Sequence, residues 1–336
     1  MMDRLSIVRI FARACIAAFV LCPAIAGAEI KIRLPVEYQA DVAPGLANQE
    51  FKKLIEERSK GAIKVEFYPN GSLYKGLDLL QAVLRGDAEM TTLVSVYWSS
   101  VSPQLSVFEL PFAFPTHEAF YRATDDKAFM TKAFSEIEAK GGRVAGVLVY
   151  DYLPLGNVKR PIVKPEDFKG LKLRALGRTN SRTLELLGAS PVPINITEVA
   201  VALDRGVIDG LNTPADAYLS YKWEGVVKYV TDSHHYFAFY PWAINAKWWA
   251  GLDPDSRSLI QSTIDEVTAR HRVRARQVAA ESLEKLAAAG VKVHRLSAEE
   301  EKAWVAATAI QWTEAEQRYG KDFVDSLRKA SGAAPN

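Results

Sequence analysis

The chain has 336 residues, and its 42 Lys and Arg against 40 Asp and Glu leave a formal net charge of +2. Such a balance gives no bulk reason to bind nucleic acid or an anionic membrane. Both cysteines, Cys15 and Cys22, fall within the first 28 residues, so the remainder has no disulfide to form.

Residues 1–28 read as a cleavable secretory leader. Arg4, Arg9 and Arg13 supply positive charge, residues 10–25 are nearly all apolar, and Ala24-Ile25-Ala26 or Ala26-Gly27-Ala28 offers a small-residue exit. The apolar run is short for a membrane span, and no later segment is long and uncharged enough to be one. Leu21 and Pro23 around Cys22 do not match a lipoprotein cleavage box. Removal of the leader leaves 308 residues with a formal charge of zero. That length suits two cores of ordinary size.

Residues 30–34, I-K-I-R-L, alternate strictly and predict a first strand. Residues 48–58 predict an amphipathic helix, 61–68 a second strand closed by Pro69-Asn70-Gly71, 77–85 a short helix, and 90–94 a third strand. Strand and helix in alternation predict a parallel sheet with covering helices. Further on, 144–150 and 170–176 read as strands, 180–187 and 197–204 as helices, and 235–240 as an aromatic-rich strand. Thr197 is placed to cap the helix that follows it, and Asp209-Gly210 reads as a turn. Residues 254–289 contain no Gly or Pro after Pro254 until Ala289 is reached. A helix of that length spans about 50 Å, more than one small domain, and predicts an element crossing two. A last helix is expected over 298–319.

The densest pattern lies in 167–214. It places Arg174 on a short apolar strand, followed at fixed distances by a Gly-Ala-Ser-Pro turn, a helix and Asp209-Gly210. A planar guanidinium held on a strand suits two-pronged recognition of a carboxylate.

Several motifs occur in a specific order: Tyr68-Pro69-Asn70-Gly71-Ser72-Leu73, Leu110-Pro111-Phe112, Asp167-Phe168-Lys169-Gly170-Leu171-Lys172-Leu173-Arg174, Gly188-Ala189-Ser190-Pro191, Val207-Ile208-Asp209-Gly210 and Lys247-Trp248-Trp249. In this order they resemble the substrate-binding subunits of tripartite ATP-independent periplasmic (TRAP) transporters, the dicarboxylate and sialic-acid type. The resemblance implies an α/β fold of the periplasmic-binding-protein kind, with two domains joined by hinge strands and one long helix. It implies domain I over 29–150 with 239–278 and domain II over 151–238 with 279–336. It also implies a periplasmic location, no catalysis, no cofactor, and delivery of a small organic acid to a membrane permease. A monomer is expected, although some relatives dimerise through a C-terminal helix.

The resemblance assigns Arg174 to the ligand carboxylate. The window where many relatives carry a second arginine reads Tyr152-Leu153-Pro154-Leu155, so Tyr152 either offers a hydroxyl there or is a buried aromatic. Asn212 and Thr213 stand before Pro214 where relatives place polar ligand contacts, and turn chemistry explains them equally. Val94, Tyr97 and Trp98 follow the third strand, at the end of a sheet where open α/β folds bind ligands. They, with Ile196, Tyr236 and Trp242, either line the cleft or pack in the core. A cleft with one cation and many apolar walls predicts a monocarboxylate with an apolar or aromatic body. A C4-dicarboxylate, a sugar acid, or service to an ATP-driven importer or a sensor is the alternative.

Catalytic signatures are missing: there is no G-x-S-x-G, G-x-G-x-x-G or G-x-x-x-x-G-K. His234 and His235 are adjacent and would point to opposite faces of a strand, which is poor geometry for one metal. His117, His271 and His294 are isolated, so no metal is expected.

Overall fold

The computed structural model describes residues 29–332; the expected leader therefore lies outside the described residues. In chain order the strands are β1 (Ile30–Pro35), β2 (Ile63–Tyr68), β3 (Met90–Thr92), β4 (Gly142–Tyr152), β5 (Leu155–Asn157) and β6 (Lys172–Ala175). They continue with β7 (Ser190–Pro193), β8 (Gly210–Asn212), β9 (Tyr229–Asp232), β10 (Phe237–Asn245) and β11 (Lys292–Arg295). β1 and β2 pair in parallel, β3 and β4 flank β10, and the remaining six form a sheet in the order β11-β9-β5-β8-β6-β7.

The predicted parallel sheet is thus only part of the architecture, because β10 runs antiparallel to both β3 and β4. β4 and β10 are long strands that cross between the two halves of the molecule. Along β10 and the residue before it, alternate side chains go to different cores. Phe237 and Phe239 join a phenylalanine-rich cluster with Phe108, Phe114 and Phe120. Tyr236, Ala238 and Tyr240 join a second cluster with Tyr38, Leu148 and Tyr150. This is the period of two expected of a strand buried on both faces.

The long helix is Pro254–Ala288, 35 residues, begun by an Asp253 side chain that accepts from Ser256 N–H at 2.8 Å. Ile260, Ile264, Val267, His271, Ala275, Ser282 and Leu286 form its buried stripe. The helix packs on β4, on the helix Ala43–Arg58, on Ala215–Ser220 and on β11. It therefore touches both halves. His271 Nε2–H donates to the Val149 carbonyl, and burial holds its pKa down at about 4, so it is neutral within the packed stripe.

Three expectations are corrected. The last helix is broken into Ala298–Thr308 and Ile310–Tyr319, followed by Lys321–Ser331. Thr308 Oγ1 bonds back to the Trp304 carbonyl at 2.8 Å, a contact that bends helices. The break lets Trp304 pack against Phe168 and Trp312 enter the phenylalanine-rich cluster. Thr197 caps nothing: it sits inside a 3-10 turn, Ile196–Glu198, and the helix Val199–Asp204 starts without a side-chain cap. Glu198 N–H donates to the Asn195 carbonyl at 3.0 Å and closes that turn ahead of the helix. Finally, Asp209-Gly210 is not a tight turn but the entry to β8: Asp209 sits at a bend and Gly210 begins the strand. Asp209 Oδ2 accepts from Lys172 N–H at 2.9 Å, and a Cβ on Gly210 would lie 2.2 Å from the Gly156 carbonyl oxygen. Only glycine allows β5 and β8 to approach there.

Candidate functional site

The turn after β2 builds the first wall. Val36 N–H donates to the Tyr68 carbonyl at 2.9 Å, Asn70 N–H to Tyr38 at 2.7 Å and Gly71 N–H to Val36 at 2.9 Å. Asn70 and Gly71 take φ of 57° and 62°, which Asn and Gly reach at least cost. Glu37 is the residue pinned between these bonds. Its Oε1 accepts from Gly76 N–H at 2.6 Å and from the Tyr97 hydroxyl at 3.4 Å. No hydrogen bond engages its Oε2 among the described residues. Burial raises the Glu37 pKa, while the Gly76 N–H and the charge of Arg174 oppose that rise.

β6 builds the second wall. Leu173 and Ala175 pack in one core, and Arg174, only 6% exposed, turns into a cavity between the two halves. Its Nε donates to the Ile194 carbonyl at 2.7 Å, which fixes the plane of the guanidinium. The two terminal nitrogens have no hydrogen bond among the described residues. Burial lowers the Arg174 pKa, opposed by Tyr97 and Glu37, but an arginine starts so high that it stays charged. Gly177 opens the helix that follows, Gly177–Leu186, with φ of 72°. A Cβ there would lie 2.3 Å from Val96 Cγ2, so glycine lets the halves meet beside the cavity.

Asn212 and Thr213 at the end of β8 and Asn180 of that helix add polar edges. Asn212 Nδ2 donates to the Leu153 carbonyl at 3.2 Å and faces His235 Nε2 at 3.3 Å. His235 also bonds Ser233 through Nδ1, and burial holds its pKa down at about 3, so it is neutral with one acceptor nitrogen. These contacts fix the amide, and Asn212 Oδ1 is left without a partner, as is Asn180 Nδ2. Tyr38, Tyr150, Tyr221, Tyr236 and Tyr240, with Leu93, Val94, Leu153, Leu176 and Ile196, close a cavity of about 70 Å³. Arg174 is the only cation and Glu37 the only carboxylate in that wall.

The halves are stitched together around it. Ala43 N–H donates to Asp216 Oδ2 at 2.8 Å, Tyr97 donates to Asn195 Oδ1 at 2.9 Å, and Phe112 N–H donates to the His235 carbonyl at 2.9 Å.

Of the residues expected at a site, Arg174, Asn212, Thr213, Val94, Ile196 and Tyr236 come together in the cavity wall. Tyr97 stands one contact behind, bridging Glu37 and Asn195. Three are placed elsewhere. Trp98 is fully buried and donates to the Leu93 carbonyl at 3.1 Å. Trp242 is fully buried against Phe51 and donates to Thr268 Oγ1 at 3.2 Å. Tyr152 donates to the Phe114 carbonyl at 2.8 Å and stacks on His234, away from the cavity. Glu37, Tyr38, Tyr150, Tyr221 and Asn180 escaped sequence reasoning. A signal did exist for one face along β10 and the residue before it: Tyr236, Ala238 and Tyr240 alternate with Phe237 and Phe239, and the two hydroxyls mark the wetter face.

Among the described residues no cluster of three or more His, Cys, Asp or Glu has metal-holding geometry, and no helix is long and apolar enough to cross a membrane.

Comparison with known proteins places this geometry in a family context. The model for bacterial extracellular solute-binding protein family 7 (DctP) matches residues 39–318. The C4-dicarboxylate-binding periplasmic protein DctP of Rhodobacter capsulatus is 30% identical over 298 residues, covering 87% of this chain and 88% of that protein. A sugar-acid-binding protein of Advenella mimigardefordensis, solved with galactonate, superposes with a TM-score of 0.86 at 26% identity, over 90% of this chain and 97% of that one. A TRAP periplasmic solute-binding protein of Shewanella oneidensis, solved with succinate, gives a TM-score of 0.86 at 25% identity, over 90% of this chain and all (100%) of that one.

Proposed function

Because the chain belongs to the DctP family of TRAP periplasmic solute-binding proteins, we propose that it captures a small monocarboxylate with an apolar body and hands it to a membrane permease. Catalysis has no part in this role. The observation that carries the reading is Arg174: a buried guanidinium, oriented through Ile194 and unpaired at its terminal nitrogens, is the single cation in an otherwise tyrosine-lined and aliphatic cavity. A carboxylate takes two parallel charge-assisted bonds from such a group. A second carboxylate would find no cation.

Size favours one kind of body. An apolar cavity of about 150 Å³ accommodates benzene, and the cavity here is about 70 Å³. A short or branched aliphatic chain fits that space better than an aromatic ring.

Capture follows from closure. The division into 29–150 with 239–278 and 151–238 with 279–336 puts Glu37, Tyr38 and Val94 on one side and Arg174, Asn180 and Thr213 on the other. A ligand that touches both sides favours the closed form by its extra contacts there.

The test is a thermal-shift panel on protein unfolded and refolded to strip bound ligand. At a hundred times its dissociation constant, a ligand adds about 2.7 kcal/mol of stability. Short and branched monocarboxylates are expected to raise the midpoint more than C4-dicarboxylates, aromatic acids or sugar acids. A rise with dicarboxylates alone would overturn the monocarboxylate reading, and a rise with sugar acids alone would overturn the apolar body.

A further inference from the structure

The polar atoms that the cavity leaves unpaired go beyond a requirement for one carboxylate. Glu37 Oε2 has no hydrogen bond, because both of its neighbours, Gly76 N–H and the Tyr97 hydroxyl, sit on Oε1. Asn212 Oδ1 is unpaired as well, with its amide orientation locked by the Leu153 carbonyl. Both residues line the cavity and are more than nine-tenths buried, at 6% and 4% exposure. Both free atoms are acceptors.

A plain carboxylate brings acceptors only. Seated on Arg174, it leaves the two protein acceptors desolvated and unmatched, which costs free energy for each one. The unpaired donors include Arg174's two terminal nitrogens, Asn180 Nδ2 and the Tyr221 hydroxyl. From this inventory we infer that Glu37 is a specificity-determining residue that selects a hydroxylated monocarboxylate and rejects dicarboxylates. The inference rests on the carboxylate reading of Arg174. The hydroxyl donates to Glu37, with Asn212 Oδ1 as the second acceptor. A ligand with a second carboxylate meets the anion of Glu37 instead, an arrangement that discriminates by repulsion as well as by attraction.

The small cavity volume points to 2-hydroxy-3-methylbutanoate as a probe, with 3-methylbutanoate and succinate as its controls. Calorimetric titration of the wild-type protein is expected to show the hydroxy acid binding at least about tenfold more tightly than its deoxy analogue, with succinate weaker than either. Sites built to bond a hydroxyl discriminate on that scale or above it. In Glu37→Gln, the hydroxy preference should shrink to about threefold or less and succinate should gain about tenfold, because the charge is gone while the side-chain shape is kept. A wild-type preference below about threefold overturns the inference without any variant. An unchanged preference and unchanged succinate rejection in Glu37→Gln overturn it while Arg174 keeps its role. If no acid binds the wild-type protein at all, the carboxylate reading falls with it.

Discussion

Two polar regions sit close together along the crossing strands, and they differ in how their charges are satisfied. In the cavity, Arg174, Glu37, Asn180 and Asn212 keep atoms unpaired although they are buried. Just past Tyr150 on β4, a second cluster is largely paired within itself, with Asp151 Oδ2 the atom it leaves unbonded. His117 Nε2 meets Asp151 Oδ1 at 2.9 Å, His234 Nε2 meets Asp232 Oδ1 at 3.2 Å, and Arg295 Nε donates to Asp232 Oδ2 at 2.9 Å. The ring of His234 also stacks on Tyr152 at 4.2 Å. Folded proteins pair their buried polar groups, so a wall of unpaired ones marks a place that something else completes. The second cluster satisfies most of its charges internally, through ion pairs that the cavity lacks, and reads as part of the hinge.

The sharpest way to break this contrast is Arg174→Ala. Truncating a buried charge that serves a ligand carboxylate costs about 2–5 kcal/mol of binding. Acid affinity should therefore fall at least a hundredfold in calorimetric titration, since each 1.4 kcal/mol is about tenfold. The ligand-free melting temperature should hardly move, because an unpaired buried cation contributes little to stability. A loss of less than tenfold would make Arg174 a structural residue. Phe239→Ala probes the same strand on its other face. Phe239 is fully buried between Phe108 and Phe120, with ring centres at 5.0 and 5.6 Å. Removing it should cost about 3–5 kcal/mol of stability, seen as a melting temperature lowered by roughly ten degrees. Ligand affinity at 25 °C should stay within about threefold. An affinity collapse there would show that the phenylalanine core and the cavity are not separable.

Much of this was legible in the sequence, for definite reasons. Alternation exposed β1 and β2, and the lack of breakers after Pro254 exposed the long helix to within a residue of its end at Ala288. Arg174 was legible because its strand, turn and helix recur in a specific order. The short strands β5 and β8, three residues each, were not, since period-two patterning needs more positions than they have. Glu37 was invisible for another reason. A lone glutamate after a strand reads as solvated, and only the fold-back of Asn70 and Gly71 onto Val36 and Tyr38 encloses it. Trp98 and Trp242 were ambiguous because size and apolarity suit a cleft wall and a core alike. Their indole N–H groups bond within the protein, to Leu93 and Thr268, a fact that spacing does not carry. Asn180 and Asn212 acquire meaning only through the atoms they leave unbonded.

The mildest test concerns the paired cluster itself. For His234, burial acts to lower the pKa, but the bond to Asp232 and its charge outweigh it, so the pKa ends above the usual 6.5. For Asp232, burial acts to raise the pKa, and His234 with Arg295 bring it below the usual carboxylate range. The histidine thus contributes stability that is complete below about pH 6.5 and disappears as pH rises through its higher folded pKa. The aspartate contributes stability that is present above its unfolded pKa, near 3.9, and is lost only as pH falls through its lower folded value. Between neutral and mildly acidic pH, then, only His234 of this pair sets the slope. His234→Asn suits the test because φ at this position is 51°, a left-handed conformation that asparagine tolerates well. The wild-type melting temperature should fall as pH rises from about 6.5 towards 8 relative to the variant, and the variant should lose that part of the slope. Acid affinity at any one pH should match the wild type, since Arg174 and Glu37 lie outside the cluster. A variant that keeps the full slope would place the titrating group elsewhere. One that keeps stability but loses affinity would mean that the hinge charges govern closure on the ligand, and the two regions would have to be treated as one device.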